Sequence, residues 1–289
     1  MTLLPWQGLS YRQVDVFAND ALNGNGVAVF WNTPEMPAEM MQELTRELRQ
    51  FEAIFLTAAD SHNEYRARVF TMEEELDFAG HPVLGAAAVL HEKYGQKESE
   101  TWRIGLNAGA IEVSTLRTGK SYIAAMKQPK AQFRGPIRLP AEIEKLMRAV
   151  NLQVSVKHPK LPLEVGSTGL AYLIVPIIGN LEKARIATDN MEEMLYGIGA
   201  RFAYVYDVEK SEGRNWDNRG LTEDIATGSA AGPVAAYLCR YGLLDRGQEL
   251  RIRQGRFVGR PSEMTAKVLP DDHVEVSGTV QMVASGTFD

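Results

Sequence analysis

The 289-residue sequence contains a single cysteine, Cys239. A lone thiol excludes a disulfide within the chain, and it excludes sites that need two catalytic thiols or several thiolate metal ligands. Positive charge is not in excess either, since 31 Lys and Arg stand against 37 Asp and Glu for a formal net charge of -6. The chain therefore has no basic field to attract nucleic acid or an anionic membrane surface, and neither is expected as a partner.

Long apolar runs are missing as well. No stretch approaches the roughly 20 apolar residues that cross a bilayer. The first residues, MTLLPWQGLSYRQ, lack the basic and then apolar segments of a secretory signal. We therefore expect a cytoplasmic protein. The hydrophobic content of 45% is enough to give one large domain, or two of ordinary size, an apolar core.

Strand and helix patterns alternate along the first seventy residues. Two apolar segments, YRQVDVFA and VAVFW, flank a polar turn and predict an opening hairpin. An amphipathic helix is expected from Pro37, followed by two strands, FEAIFLTAA and YRARVFT.

The next segment, GHPVLGAAAVLHEKYG, is small and apolar almost throughout. It predicts a helix that is buried on nearly all sides, packed inside a sheet or barrel. A similar helix, GSAAGPVAAYLCRYG, returns about 150 positions later, again after a helix, a strand and a polar stretch, so that Gly80 corresponds to Gly228. The recurring order predicts a duplicated α+β unit.

The repeat divides the chain into two halves. The predicted bounds are residues 1–127 with a central helix at 81–95, and residues 128–278 with a central helix at 229–242. The segment KQPKAQFRGPIRLP, rich in proline and basic residues, is expected to be the crossover between them. Two last strands, HVEVSG and TVQMVASG, could return to either half, and the strand at 279–289 could join the first.

Both small-residue helices begin at a glycine, Gly80 in one half and Gly228 in the other. A helix start carries free backbone N–H groups and the positive end of the helix dipole, so it suits an anion such as a substrate carboxylate. If the halves pack face to face, both starts can serve one cleft and stabilise charge that develops on a substrate. The alternative is that the glycines only permit close helix packing. Their equivalence in the repeat favours the functional interpretation.

Glu52 lies in RQFEAIFL, between an amphipathic helix and an apolar strand, and its counterpart in the repeat is Phe202. A carboxyl group that points inward there would lose hydration, which favours its neutral form and lets it take up and return a proton. The alternative is a surface glutamate at the mouth of a strand, which is the usual role at such a position.

Three more polar residues adjoin the glycines. His81 follows Gly80, and a histidine beside an anion site can donate a proton or a hydrogen bond, although a capping or core role is commoner. Asp224 lies four residues before Gly228 and could simply shape the turn. Ser229 does not indicate a serine hydrolase, because TGSAA lacks the second glycine of the G-x-S-x-G motif.

Four blocks of the sequence resemble the signature blocks of the PhzF-like family, in the family's order and over nearly the whole chain. They are DVFANDALNGNGVAVF, RELRQFEAIFL, EEELDFAGHPVLGAA and EDIATGSAAG. The resemblance implies a diaminopimelate-epimerase-like fold, in which each of two pseudo-equivalent halves wraps a mostly antiparallel, barrel-like sheet around a central helix. It also implies a homodimer. Diaminopimelate epimerase itself needs a cysteine in each half, which this chain does not have.

The resemblance also implies residue roles. Glu52 takes the place of the family's acid/base glutamate, and His81 and Asp224 take the places of its companion polar residues. Gly228 and Ser229 take those of its contacts to the substrate anion. We therefore expect an isomerase that shifts a proton on a small carboxylate, with Gly80 and Gly228 binding that carboxylate and without a metal or an organic cofactor.

Several positions depart from the family pattern. They are Gly26, Ala53, Pro82 and Ile225, where the family commonly has proline, a small polar residue, alanine and proline. None removes a candidate catalytic group. Ala53 and Ile225 adjoin the expected site, so the substrate could differ from that of the phenazine-pathway enzyme. Two rival hypotheses stay open: a non-catalytic small-molecule binding protein, and a hydrolase or lyase in which Glu52 activates water.

Overall fold

The computed structural model describes residues 6–59, 61 and 63–289. The chain divides into two compact units. Unit 1 comprises the described residues up to Lys127 together with Ser277–Asp289, and unit 2 is Gln128–Val276.

Unit 1 is built mainly from strands, with two helices. Its elements are β1 (Ser10–Val16), β2 (Asn25–Phe30), α1 (Ala38–Glu47), β3 (Glu52–Ala58), β4 (Glu64–Thr71), β5 (Glu75–Leu76), α2 (Gly80–Tyr94), β6 (Ser99–Leu106), β7 (Gly109–Thr118) and β8 (Ser121–Gln128). Strand β16 (Val274–Thr287) completes the unit from Ser277 onward.

The strands of unit 1 form a closed eight-strand barrel. Their order is β1-β2-β3-β4-β6-β7-β8-β16, and β16 pairs again with β1 so that the ring closes. The opening β1–β2 hairpin is antiparallel, as the sequence predicts, while the β2–β3 and β4–β6 pairs are parallel. Closure leaves no free sheet edge along the ring.

Helix α2 fills this barrel. Ten consecutive residues of α2, from Pro82 to His91, are buried, and the helix contacts β1, β2, β3, β6 and β7. Small side chains allow this, most visibly at Gly85, where an added Cβ would lie 2.8 Å from a methyl of Val27 and 3.0 Å from one of Val14. The prediction of a helix buried on nearly all sides is confirmed.

Unit 2 contains three helices, three short 3-10 turns and seven complete strands. Its helices and strands are β9 (Gln132–Pro136), α3 (Pro140–Ala149), β10 (Glu164–Ser167), β11 (Ala171–Ile177), α4 (Met191–Gly197), β12 (Phe202–Asp207), β13 (Glu212–Asn215), α5 (Gly228–Arg240), β14 (Leu250–Gln254) and β15 (Ser262–Val268). The 3-10 turns are Val154–Val156, Leu181–Lys183 and Arg256–Val258. No helix in the described part of the chain is both long and apolar enough to cross a membrane.

The two units share one strand-pairing scheme. The parallel β11–β12 pair, the antiparallel β12–β13 pair and the parallel β13–β14 pair of unit 2 repeat the β2–β3, β3–β4 and β4–β6 pairs of unit 1. Helix α5 follows β13 as α2 follows β4 and β5. The corresponding strands β3 and β12 begin at Glu52 and Phe202, the two positions that the sequence repeat equates.

Two segments contain more regular strand structure than the sequence predicts. The expected crossover KQPKAQFRGPIRLP contains β9, which stands at the end of the unit 2 strand order and ends in Pro136, a position that an edge strand tolerates. The two predicted C-terminal strands are one continuous strand, β16. The strand continues through Gly278. Glycine is needed there for close packing, because an added Cβ would lie 2.3 Å from the ring of Phe17.

Gly85 tests how tightly the barrel encloses α2. We expect Gly85→Ala to lower the free energy of unfolding by about 1–3 kcal/mol, because the new methyl overlaps stiff valine side chains. Gly197→Ala in α4 is the matched control, since nothing lies within 4 Å of its added Cβ. There we expect no loss, or a gain of up to about 1 kcal/mol. Urea unfolding measures both, and equal stability of the two variants would contradict the packing argument.

Candidate active site

In unit 1 the barrel brings Glu52 and His81 together. Glu52 is the first residue of β3, which is paired on both sides, and His81 is the second residue of α2. Oε2 of Glu52 lies 3.6 Å from Nδ1 of His81, and their side chains are 19% and 12% exposed. A carboxyl group and an imidazole are thus held side by side on rigid elements, with restricted access to water.

The start of α2 beside this pair has no side-chain cap. The residue before the helix is Ala79, which is extended and makes no capping hydrogen bond through its side chain. The next residues, Gly80 and His81, bring backbone N–H groups to the helix start, and Pro82 has none. The start of α2 therefore carries a partial positive charge that suits an anion, next to the carboxyl group of Glu52.

In unit 2 the start of α5 is arranged differently. The residue before Gly228 is Thr227, a type that often caps a helix, but no side-chain cap is made here. Its hydroxyl instead donates to Oδ2 of Asp224 at 2.7 Å. The threonine therefore orients the Asp224 carboxylate and does not occupy the N–H groups at the helix start.

Gln254, at the end of β14, holds Asp224 and Thr227 in this arrangement. Its Nε2 donates to the backbone oxygen of Asp224 at 2.8 Å and to Oγ1 of Thr227 at 2.9 Å. Its Oε1 accepts from the Tyr204 hydroxyl at 2.9 Å. Gln254 is 1% exposed, so each of these bonds is made away from water, where an unpaired partner is costly. No sequence pattern predicted a role for Gln254.

The loop that leads to Asp224 is also held firmly. Glu223 forms a two-bond ion pair with Arg214, at 2.8 and 2.5 Å, and both side chains are 9% exposed. The Arg214 guanidinium also donates to the backbone oxygens of Leu181 and Ala184. Because Glu223 is anchored in this way, the adjacent Asp224 has little freedom to move.

The turn before Glu223 is closed by Asp217. Its carboxylate accepts backbone N–H groups from Arg219, Leu221 and Thr222. Burial acts to raise the pKa of Asp217, but these hydrogen bonds outweigh it and hold the pKa below the ordinary value. The turn therefore stays closed at neutral pH.

Ser229, the second residue of α5, lies against Tyr172 of β11. The two hydroxyl oxygens are 2.6 Å apart. Burial is the main cause that raises the pKa of Tyr172 well above its ordinary value; the bond to Ser229 acts against this and the charge of Asp224 adds to it. Tyr172 is therefore a neutral phenol, and it too was missed from the sequence.

Gly228 is supported by a further buried amide. Nε2 of Gln128 donates to the backbone oxygen of Gly228 at 3.3 Å, and Oε1 of Gln128 accepts from Thr168 at 2.7 Å. An added Cβ at Gly232 would lie 2.1 Å from the same Oε1. The small residues of the helix therefore do more than permit helix packing, since one of them makes room for the amide that supports the helix start.

The structure thus groups the sequence-predicted residues in two sets. Unit 1 holds Glu52, Gly80 and His81 together, and unit 2 holds Asp224, Gly228 and Ser229. Among the described residues, no three His, Cys, Asp or Glu side chains are grouped so that they could hold a metal ion. Gln254 and Tyr172 had no signal in the sequence, because their partners lie 27 and 57 positions away.

Comparison with known proteins identifies the class. The family model described as "phenazine biosynthesis-like protein" matches residues 14–286. Trans-2,3-dihydro-3-hydroxyanthranilate isomerase of Pseudomonas aeruginosa is 32% identical, over 96% of this chain and 98% of that protein. "Uncharacterized isomerase YddE" of Escherichia coli is 26% identical, over 92% and 93%. The chain belongs to the PhzC/PhzF family of phenazine biosynthesis-like proteins, and it is an enzyme of the isomerase type found there.

Solved structures agree with this assignment. A predicted epimerase from Pseudomonas aeruginosa is 44% identical with a TM-score of 0.90, covering 97% of this chain and 99% of that one. A structure described as a "probable proline racemase" from Agrobacterium radiobacter, at 11% identity, has a TM-score of 0.62 over 97% of this chain and 93% of that one. The latter shows that the fold is shared with racemases, which confirms the predicted epimerase-like fold class.

The buried phenol of Tyr172 makes stability depend on alkaline pH. Its raised pKa means that the folded state keeps a proton that the unfolded state loses above about pH 10, so the free energy of unfolding falls as pH rises past that value. Tyr172→Phe removes this proton. Between pH 10.5 and 11.5 we expect the free energy of unfolding to fall more slowly with pH in Tyr172→Phe than in the unchanged protein. The two slopes should differ by about 1.4 kcal/mol per pH unit.

Urea unfolding at the two pH values measures the slope. Tyr196→Phe is the control, because that side chain is 84% exposed and its hydroxyl faces solvent in both states. Its slope should match that of the unchanged protein. An unchanged slope in Tyr172→Phe would show that the phenol is not shielded in solution.

Proposed function

We propose that this isomerase shifts a proton on a small carboxylate substrate, with Glu52 as the general acid and base. The observation that carries the proposal is the position of Glu52. Its carboxyl group lies 3.6 Å from the His81 imidazole, is mostly shielded from water, and adjoins a helix start without a side-chain cap. A proton-transferring group beside an anion site is what carbon-acid chemistry needs.

In the proposed mechanism Glu52 takes a proton from one carbon of the substrate and returns it to another. No atom is gained or lost, so the product has the mass of the substrate. His81 donates a hydrogen bond that positions the substrate or shares the proton, and Asp224 positions the substrate. The N–H groups at Gly80 and Gly228, with the Ser229 hydroxyl, bind the carboxylate and spread the charge that develops.

The repeat supports one base and not two. β3 begins at Glu52, but the corresponding strand β12 begins at Phe202, which cannot carry a proton. A racemase that uses two bases needs an ionisable group on each side of the substrate. A single carboxyl group, by contrast, has to remove and return the proton itself, which suits an isomerisation.

A cyclic, unsaturated amino carboxylate is the substrate class that we propose. Relatives are named for trans-2,3-dihydro-3-hydroxyanthranilate, a compound of that class. In this chain Phe51 directly precedes Glu52 and is 55% exposed, and Phe78 lies two residues before Gly80 and is 43% exposed. Exposed aromatic side chains beside the acid/base residue and the helix start offer apolar surface to a ring.

Proton NMR in deuterated water tests the assignment of Glu52. The protein is mixed with a pool of unsaturated and amino carboxylates that includes trans-2,3-dihydro-3-hydroxyanthranilate. We expect either exchange of a carbon-bound hydrogen or the signals of an isomer of equal mass. Glu52→Gln should slow this reaction by at least about 100-fold, because the amide cannot take up the proton.

Glu47→Gln is the matched control. It makes the same change at an exposed side chain at the end of α1, five positions away, and should leave the rate unchanged. Retained activity in Glu52→Gln would contradict the assignment. Product of altered mass would favour the hydrolase or lyase, and binding without any turnover would favour the binding protein. The homodimer and the cytoplasmic location expected from the sequence stay predictions.

A further inference from the structure

The hydrogen bond between Tyr172 and Ser229 has a direction that the surroundings determine. Tyr172 is 2% exposed, whereas Ser229 is only partly buried. Within the described part of the chain, Ser229 is the one hydrogen-bond partner of the Tyr172 hydroxyl. The two possible directions therefore differ in which hydroxyl hydrogen is left without an acceptor.

If Ser229 donated, the phenolic hydrogen of Tyr172 would have no acceptor in a site closed to water. A buried donor without an acceptor is unfavourable. If Tyr172 donates, its hydrogen is satisfied by Oγ of Ser229. The hydrogen without an acceptor is then that of the Ser229 hydroxyl, and Ser229 is only partly buried.

The side chain of Tyr172 is held in position by its neighbours in the sheet. In β11 it is paired with Phe202 of β12 and with Gly166 of β10. Its ring lies 6.0 Å from that of Phe202 and 6.5 Å from that of Tyr204. The strand pairing and the two ring contacts with β12 hold the hydroxyl against Ser229 at the start of α5.

We propose that Tyr172 is a positioning residue that donates its hydroxyl hydrogen to Ser229, so that the Ser229 hydroxyl is left to donate to the substrate carboxylate. This rests on the proposed function, since it assigns Ser229 to the carboxylate. Tyr172 does not touch the substrate; it acts through Ser229. The start of α5 then offers a hydroxyl donor that is oriented before the substrate arrives, together with its backbone N–H groups.

A double-mutant cycle tests the coupling. The dissociation constant is measured by calorimetry for benzoate, anthranilate and 3-hydroxyanthranilate as carboxylate probes, with the unchanged chain, Tyr172→Phe, Ser229→Ala and the double variant. We expect Tyr172→Phe to weaken binding about fivefold to tenfold in the unchanged chain, because the serine hydroxyl is no longer oriented. In the Ser229→Ala chain the same change should weaken binding less than about twofold.

Tyr206→Phe is the matched control. Tyr206 is also buried, also in unit 2, and its hydroxyl lies 3.0 Å from that of Ser211. Removing this hydroxyl should leave the affinity for the probes unchanged. A general weakening caused by loss of a buried tyrosine hydroxyl would affect both variants alike.

The outcomes separate this inference from the proposed function. If a probe binds and Tyr172→Phe has the same effect with and without Ser229, or no effect, the positioning role is overturned while the proposed function stands. If none of the three carboxylates binds the unchanged chain, the proposed function fails and the inference fails with it. Neutron diffraction gives an independent result: the deuterium between the two oxygens should be bonded to Tyr172, and finding it on Ser229 would overturn the proposal.

Discussion

A helix enclosed by a β-barrel has no face exposed to water, and this constraint determines which residues α2 of unit 1 can contain. Each fully buried valine or leucine of α2 contributes about 1.5–3 kcal/mol through the hydrophobic effect. The room inside the barrel limits their size, so alanines and Gly85 occupy much of the helix. Polar groups of such a helix can be useful only at its ends. The candidate chemistry of unit 1 is accordingly at the start of α2, where Gly80 and His81 lie.

The repeated framework carries different side chains in its two copies. In unit 1 the second residue of the central helix, His81, faces the carboxyl group of Glu52 on β3. In unit 2 the second residue of α5, Ser229, faces a phenol, Tyr172, which belongs to the strand beside Phe202. One copy thus presents a group that can exchange a proton, and the other a group that stays protonated. The asymmetry lies in the side chains that the strand pairs common to both units carry.

The sequence predicted those parts of the fold that depend on local pattern. The run from Gly80 to Tyr94 is small and apolar, and only a buried helix suits it. The repeat also identified Glu52 and Phe202 as equivalent strand starts, although the 3.6 Å approach of Glu52 to His81 exists only once the barrel has closed.

Other features depend on contacts between distant parts of the chain. The segment that contains β9 was expected to be a crossover, and β16 was expected as two strands. Pro136 is tolerated because β9 is at an edge of the strand order, and Gly278 packs against the ring of Phe17. Gln254 and Tyr172 lie in ordinary strand patterns, and their roles follow from partners across the sheet. Arg214 is similar, since it binds backbone oxygens about 30 positions earlier in the chain.

The pairing of β1 with β16 has a consequence for how the protein is made. Ser10 is opposite Thr287, so the ring of unit 1 joins strands that lie far apart in the sequence. On the ribosome, β1 to β8 emerge before β16 and can form only an open sheet, with the strand edges at β1 and β8 exposed until β16 has been synthesised. Unit 2, whose residues are contiguous in the chain, can fold before the barrel of unit 1 closes. Unit 1, whose first strands are translated before unit 2, is therefore completed only after unit 2 has been synthesised, and a nascent chain that stalls before β16 leaves two strand edges exposed.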